Sequence, residues 1–453
     1  MSIDQFGYRQ ELHRTLSTRD LVIYGMIFMV PIAPYSVFGF VWNDSHGMVP
    51  LAYLVGLIGM MFTALSYAEM SRAFPLAGSV YTYAQRGLNE WAGFFSGWLI
   101  LLDYILVPAL LYLFSAAALR PLLPSVPQWL WLSGFIVFNA GVNLLGIQFT
   151  ARMNRWMLLF ELLVVALFVV FGLMALYGGA GAGRLTLRPL FDPAAFSLST
   201  VAGATSIAVL SFLGFDGIST LAEESTGGER SVGRAALLSL ALVGSLFMFQ
   251  TWIAADLARG MVFSAPDTAF YDIVERAGGD WLRTLAIVAV VIASAVANAI
   301  AAQAAVSRIL FAMARDGELP AVLATIHPRF KTPYVSTLAV AGISLGVGLL
   351  FADRLDDLTR VVNFGALVSF MLLHLSVINH HLLRRRSGDW LRHLAFPLLG
   401  AMVIGFVLYE MDRSAKLLGA CWIGLGAVYY AVNRRPRAAG RTTPSSWARR
   451  RFR

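Results

Sequence analysis

Charge is scarce in this chain. Only 13% of its 453 residues are Asp, Glu, Lys or Arg, against about 25% in an ordinary soluble domain. With 58% hydrophobic residues, that shortage excludes a soluble globular protein and a disordered one. A single cysteine, Cys421, excludes an intrachain disulfide. No Walker loop, HExxH or CxxC sequence occurs, so neither ATP-driven pumping by this chain nor a reactive enzyme constellation is expected. No enzymatic activity, cofactor or bound metal is anticipated. The apolar stretches also lack period-2 alternation, which barrel strands would show over about ten residues.

What is present is a series of long apolar windows. Residues 21–42, 48–68, 91–119, 126–151, 156–183 and 193–215 form six, and 235–255, 284–307, 333–352, 361–379, 394–409 and 417–433 form six more. A membrane-spanning helix needs about 20 apolar residues. The expected fold is therefore an all-α integral membrane protein of 12 transmembrane helices. A single membrane domain over 20–435 is expected between a segment 1–19 and an Arg-rich tail 436–453. Residues 1–20 are polar and lack a small-residue cleavage site, so the first window reads as a retained helix rather than a signal peptide.

The net charge of +9 would point to nucleic acid in a soluble protein. Here it marks sidedness. Of the 35 basic residues, 25 fall in the two termini and in the connections after even-numbered windows, such as Arg72, Arg86, Arg308 and Arg384. The positive-inside rule then places both termini in the cytoplasm of a multi-pass inner-membrane protein. The Arg-rich tail reads as topology plus attraction to anionic lipid, with no nucleic-acid partner.

Two windows carry interruptions. The first has Met29-Val30-Pro31-Ile32-Ala33-Pro34-Tyr35, where Pro31 and Pro34 remove two N–H donors. The sixth has Ser211-Phe212-Leu213-Gly214-Phe215-Asp216-Gly217, an acid between glycines. Interrupted segments at matching places in two halves point to the substrate site of an inverted-repeat transporter. Three acids lie within the windows or at a break: Asp103, Glu161 and Asp216. Such groups are costly in a bilayer and usually functional. No Lys or Arg accompanies them, which favours a cation, proton or metal ion as the transported partner. Each also has a structural alternative: Asp103 paired with a hydroxyl, Glu161 reaching toward the surface near Arg155, Asp216 capping a half-helix. His374 reads either as a buried structural histidine or as a proton relay, and Glu223 and Glu224 as charges at the inner face.

Several segments carry a family resemblance. They are Ser66-Tyr67-Ala68-Glu69, Phe74-Pro75-Leu76-Ala77-Gly78-Ser79, Gly93-Phe94-Phe95-Ser96-Gly97-Trp98, and Arg315-Asp316-Gly317-Glu318-Leu319-Pro320 with His327-Pro328-Arg329. As a set they resemble the amino acid–polyamine–organocation (APC) permeases. Within that superfamily, Leu101-Leu102-Asp103-Tyr104, Phe212 to Gly217 and Asn363-Phe364-Gly365-Ala366-Leu367-Val368 are most similar to the putrescine importers.

The resemblance implies a LeuT-like core in which helices 1–5 and 6–10 are inverted repeats, with helices 1 and 6 broken at Pro31, Pro34, Gly214 and Gly217. Helices 11 and 12 are then peripheral. It implies secondary transport, proton-coupled or by exchange. The expected cargo is putrescine or a related polyamine, with an amino-acid permease as the alternative and a non-transporting receptor as a reading of another class. Tyr35, Ser36, Trp98, Asp103, Phe212, Phe215, Asp216 and Phe364 are the candidate substrate contacts: the acids for ammonium groups, the aromatics for a cation–π slot. Glu161 and Asp216 are the proton-coupling candidates.

Two positions depart from the putrescine importers as a group. Those carry an acid in helix 1 where this chain has Ser36, and a glutamine in helix 5 where it has Glu161. Amino-acid members bind the substrate carboxylate with N–H groups of a glycine-rich break. This first break has two prolines and no glycine between Gly25 and Gly39, a poor cradle for that anion.

Overall fold

The computed structural model describes residues 16–433, apart from 77, 121, 147–150, 229, 264, 316 and 318. The Arg-rich tail, most of the N-terminal segment, and Ala77, Asp316 and Glu318 of the quoted motifs lie outside these residues. Sixteen α-helices are described: α1 (Thr18–Met29), α2 (Pro34–Ser45), α3 (Val49–Ala73), α4 (Ser79–Gly87), α5 (Glu90–Leu119), α6 (Gln128–Leu144), α7 (Ala151–Tyr177), α8 (Leu198–Ala208), α9 (Ser231–Leu257), α10 (Ala269–Gly278), α11 (Asp280–Val290), α12 (Ala299–Arg315), α13 (Tyr334–Leu350), α14 (Leu355–Val377), α15 (Phe396–Glu410) and α16 (Arg413–Asn433).

Among the described residues, nine helical runs are long and apolar enough to cross a membrane, and a tenth span is the pair α1 and α2, bent by 54°. The two remaining apolar windows correspond to α6 and α13, each of 17 residues. The twelve windows thus all fall on helices, but ten, not twelve, are of spanning length. The short pair is shortened by polar or Pro-marked ends, Pro127 before α6 and Pro333 before α13.

Burial sorts the spans. α5 lies at the centre, with 83% of its most apolar window buried, whereas α15 and α16 bury 28% and 17%. Side chains such as Leu350, Tyr409 and Val432 are largely exposed on the outer surface, which suits contact with lipid. Close approach needs small residues: a Cβ at Gly365 of α14 would lie 2.5 Å from the Leu99 carbonyl oxygen of α5. The short amphipathic helices α4 and α10 follow the second and seventh windows, each packed among the spans.

Two spans leave the helical path near their middles. α1 starts with a capping box between Ser17 and Asp20 and stops at Met29, where Val30 takes φ 52°. α2 restarts with Pro34 in its first turn, where a missing N–H costs nothing. In the sixth window α8 tightens into a 3₁₀ turn, Val209–Phe212. Leu213 is extended, Gly214 turns at φ 114°, and a second 3₁₀ stretch covers Phe215–Glu224. The eighth window is interrupted more mildly, by a π-helical stretch Val291–Asn298 between α11 and α12.

Carbonyls at these irregularities find side-chain amides from other helices. Gln250 of α9 donates to the Pro31 oxygen at 2.9 Å. Asn363 of α14 donates to the Ser206 oxygen at 2.7 Å. Asn139 of α6 donates to the Ala295 oxygen of the π-helical stretch, also at 2.7 Å.

Gly214 is the most demanding backbone position. Its φ is unfavourable for any side chain, and a Cβ there would lie 2.9 Å from the Phe28 carbonyl oxygen. Gly214→Ala is expected to destabilise the protein by about 1–3 kcal/mol. Thermal unfolding of the detergent-solubilised variant checks this, and an unchanged midpoint contradicts it.

Candidate functional site

The two breaks face each other across one cavity of about 70 Å³, room for several water molecules. One wall is the first break, through Phe28, Met29, Val30, Ala33 and Ser36, and another is the sixth window, through Leu210, Ser211, Leu213 and Gly214. α5 supplies Asp103, Tyr104 and the face running to Phe114, and the eighth window supplies Ser294 and Asn298. The lining contains no Lys, Arg or His.

Asp216 is held beside this cavity. Its Oδ2 accepts from the Tyr104 hydroxyl at 2.6 Å and its Oδ1 from the Gly214 N–H at 3.2 Å. Its carboxylate thus folds back on the turn that precedes it, and Gly214, freed of a Cβ, lets that N–H turn toward it. Asp103 stands in the lining itself. It is buried, and its Oδ1 has no hydrogen-bond partner within the protein. A buried carboxyl oxygen without a donor is costly, and the side chain that carries it stands in the cavity wall. Asn298 presents a similarly unpartnered Oδ1.

The aromatic candidates are distributed otherwise. Of the residues expected to touch substrate, Ser36 and Asp103 line the cavity, with Asp216 bonded to its wall. Tyr35 points to the far side of α2 and stacks on Phe270 at 4.0 Å. Phe212 packs on Tyr53 and Phe247, and Phe215 on Tyr67 and Phe370. Trp98 stacks on Trp422 of α16 at 4.7 Å, each indole N–H donating to the other residue's carbonyl. Phe364 lies against Gly419 of the same helix. None of these five rings is in the lining. Helical spacing near an acid does not separate the face toward the cavity from the face toward a neighbouring span. Of the break residues, Gly214 lines the cavity, while Pro31, Pro34 and Gly217 shape the chain around it.

Glu161 sits on the buried face of α7 with Leu158, Val164, Val165 and Phe168. Both of its carboxyl oxygens are buried without a hydrogen-bond partner. It is outside the cavity lining, but Phe168, two turns along the same face, touches Tyr35 of α2. His374 is bonded to two hydroxyls of α3, Ser66 Oγ at 2.9 Å and Thr63 Oγ1 at 3.4 Å, and lies outside the cavity.

Sequence reading missed Tyr104, Gln250 and Asn298. All three are uncharged polar residues inside apolar windows, and counting only ionisable groups passes over them. Toward the Arg-rich end lies an ion pair, Arg308 to Glu224 at 3.4 Å. There Leu16 also pairs with the main chain of Glu224 and Thr226. The cavity runs the other way, along about 16 Å of α5 from Asp103 to Phe114.

The amino acid permease family model matches residues 21–424. The chain belongs to the amino acid permease family. It is 33% identical to the low-affinity putrescine importer PlaP of Escherichia coli K12, over 93% of this chain and 94% of that one. It is 26% identical to the branched-chain amino acid permease BcaP of Bacillus subtilis, over 93% of each chain. The Bacillus subtilis methylthioribose transporter is 24% identical, again over 93% of each. The permease is thus a multi-pass membrane transporter of small molecules and not an enzyme.

Among the described residues, Tyr104 supplies the hydroxyl that donates to the Asp216 carboxylate. Tyr104→Phe leaves Oδ2 without that donor, at an expected cost of about 1–3 kcal/mol. Thermal unfolding in detergent measures it; a variant as stable as the parent shows the bond to be dispensable.

Proposed function

We propose that this permease imports a small organic cation, putrescine or a related polyamine, by proton-linked transport or exchange. The observation that carries the reading is Asp103: a buried carboxylate oxygen without a partner, in a cavity lined by no basic group. An ammonium ion supplies both the donor and the charge that oxygen lacks. Asp216 adds a second negative charge at the cavity wall. Methylene-sized apolar surface is available from Val107, Leu110 and Phe114.

An α-carboxylate is less well served. Pro31 and Pro34 have no N–H, and the Gly214 N–H is already engaged by Asp216. The amino-acid reading keeps support from the uncapped start of α2 beside the cavity and from relatives such as BcaP. Putrescine is favoured by the 33% identity with PlaP together with the acids.

The architecture proposed is twelve spans in a LeuT-like 5+5 repeat. Breaks in the first and sixth windows, and short helices α4 and α10 after the second and seventh, repeat at the same interval and support it. With the Arg-rich loops in the cytoplasm of the inner membrane, both termini are cytoplasmic. The Arg308–Glu224 pair is then on the inner side and the cavity reaches outward. Inward movement of each positive charge gains about 2.3 kcal/mol per 100 mV of potential, so a dication is drawn in strongly. Glu161 and Asp216 are the proposed proton-coupling groups.

Labelled putrescine is expected to enter proteoliposomes holding the purified chain, and Asp216→Asn to abolish the uptake. Uptake of neutral amino acids that no diamine competes against would reverse the substrate reading. In the same assay Glu161→Gln is expected to flatten the dependence on external pH. An unaltered pH profile removes Glu161 from the coupling.

A further inference from the structure

Far from the cavity, near the Arg-rich end, three side chains converge that no chain spacing connects. Glu69 is in the last turns of α3. His381 is in a π-helical turn, Ile378–Arg384, that follows α14. His393 is in a second π-helical turn, Leu391–Ala395, that leads into α15. One oxygen of Glu69 and one ring nitrogen of each histidine all lie within 4.8 Å of one another. π-Helical turns are rare and frequently mark functional sites. Here two of them flank one short loop and each delivers a histidine to the same point.

We propose that Glu69, His381 and His393 form a binding site for a divalent transition-metal ion of the zinc class, independent of the transport cavity. Around a tetrahedral zinc ion with bonds of about 2.1 Å, ligand atoms lie about 3.4 Å apart. The Glu69 Oε2 to His393 Nε2 distance is 3.5 Å. The His393 ring is turned for this by its other nitrogen, Nδ1, which bonds Ser387 Oγ at 2.8 Å. Such an outer hydrogen bond is what orients metal-binding histidines. The His381 Nε2 is buried and has no hydrogen-bond partner. Its ring stacks on that of His393, with centroids 4.3 Å apart and planes 7° from parallel. Because a ring nitrogen's lone pair lies in the ring plane, both imidazoles can share one ion only when one of the two stacked rings turns about its Cβ–Cγ bond, with the donor atoms already brought together beside the Glu69 carboxylate.

Two neighbouring cations are directed elsewhere, while Arg385 lies close enough to act on His381. Arg384 donates to the carbonyls of Arg86 and Leu88, and Arg392 pairs with Asp389 at 3.5 Å. Two imidazoles and one carboxylate, with no thiolate, suit zinc and its neighbours in the first transition row better than magnesium or calcium, which take oxygen ligands. A metal ion here ties the end of α3 to the joint between α14 and α15.

The test uses the full-length chain in detergent, stripped with chelator, and the metal alone. Isothermal titration with zinc chloride is expected to show one equivalent bound, with magnesium giving no heat. His381→Ala, His393→Ala and Glu69→Gln are each expected to weaken zinc binding at least tenfold, as loss of a ligand should. Ser387→Ala should weaken it less, and His327→Ala, distant from the cluster, should leave it unchanged. Each variant's gel-filtration profile and metal-free melting temperature report folding. Cobalt(II) added to the parent chain gives a readout that needs no variant: intense visible d–d bands mark a tetrahedral site. Absence of zinc binding, an undiminished affinity in the His381→Ala/His393→Ala double variant, or a weak octahedral cobalt spectrum overturns the proposal.

Discussion

Within a bilayer core no water is present to take up a stray main-chain group, so a chain that leaves the helical path must be repaired by protein. This constraint organises the permease. The first window stops at Met29, the sixth turns at Gly214, and the eighth loosens into a π-helical stretch. Carbonyls at these three places are taken by Gln250, Asn363 and Asn139, from the seventh, tenth and fourth windows. The amides act as struts that keep irregular backbone in place while leaving a cavity between the breaks. The same repair joins helices far apart in sequence, so the site and the packing of the bundle are one construction.

The acids follow the same logic at a different level. Asp216 is held in place by bonds from Tyr104 and from the backbone of its own turn. Asp103, one residue before that tyrosine, keeps an oxygen without a partner and faces the cavity. Adjacent residues on α5 thus divide the work, one fixing the turn and one offering charge. Glu161 has neither role. It is buried on α7 with both oxygens unpaired, joined to the first span's second half through Phe168 and Tyr35. An acid so placed reaches the broken span through packing, without touching what occupies the cavity.

Much of this was readable from the chain. Apolar windows located the ten runs of spanning length and two shorter helices, because burial in lipid demands uninterrupted apolar length whatever the partners are. Pro31, Pro34 and Gly214 located both breaks, because proline and glycine act on their own backbone. Asp103 and Ser36 were found as cavity residues for a related reason, polarity beside a break. The rings of Tyr35, Trp98, Phe212, Phe215 and Phe364 lie outside the cavity lining. Each is near a break or an acid along the helix, yet rotated by a fraction of a turn toward another span. Trp98, for example, belongs to the contact with Trp422, 324 residues away. The Glu69, His381 and His393 cluster was equally invisible, since its members meet only when the end of α3 is brought to the joint between α14 and α15.

By itself the sequence determined what depends on composition and local stereochemistry: a membrane chain, its spans, its two interruptions, its charged face and its family. These are properties each segment carries with it, since hydrophobic length and the N–H that proline lacks need no neighbour. Only the tertiary structure decided which polar atoms are satisfied and which are left over. It gave Asp216 its donors and left Asp103 Oδ1 without one, turned five aromatic rings away from the cavity, and brought two histidines face to face. Whether a polar atom is paired depends on the rotation and depth of every helix around it, and those are set by packing across the whole bundle.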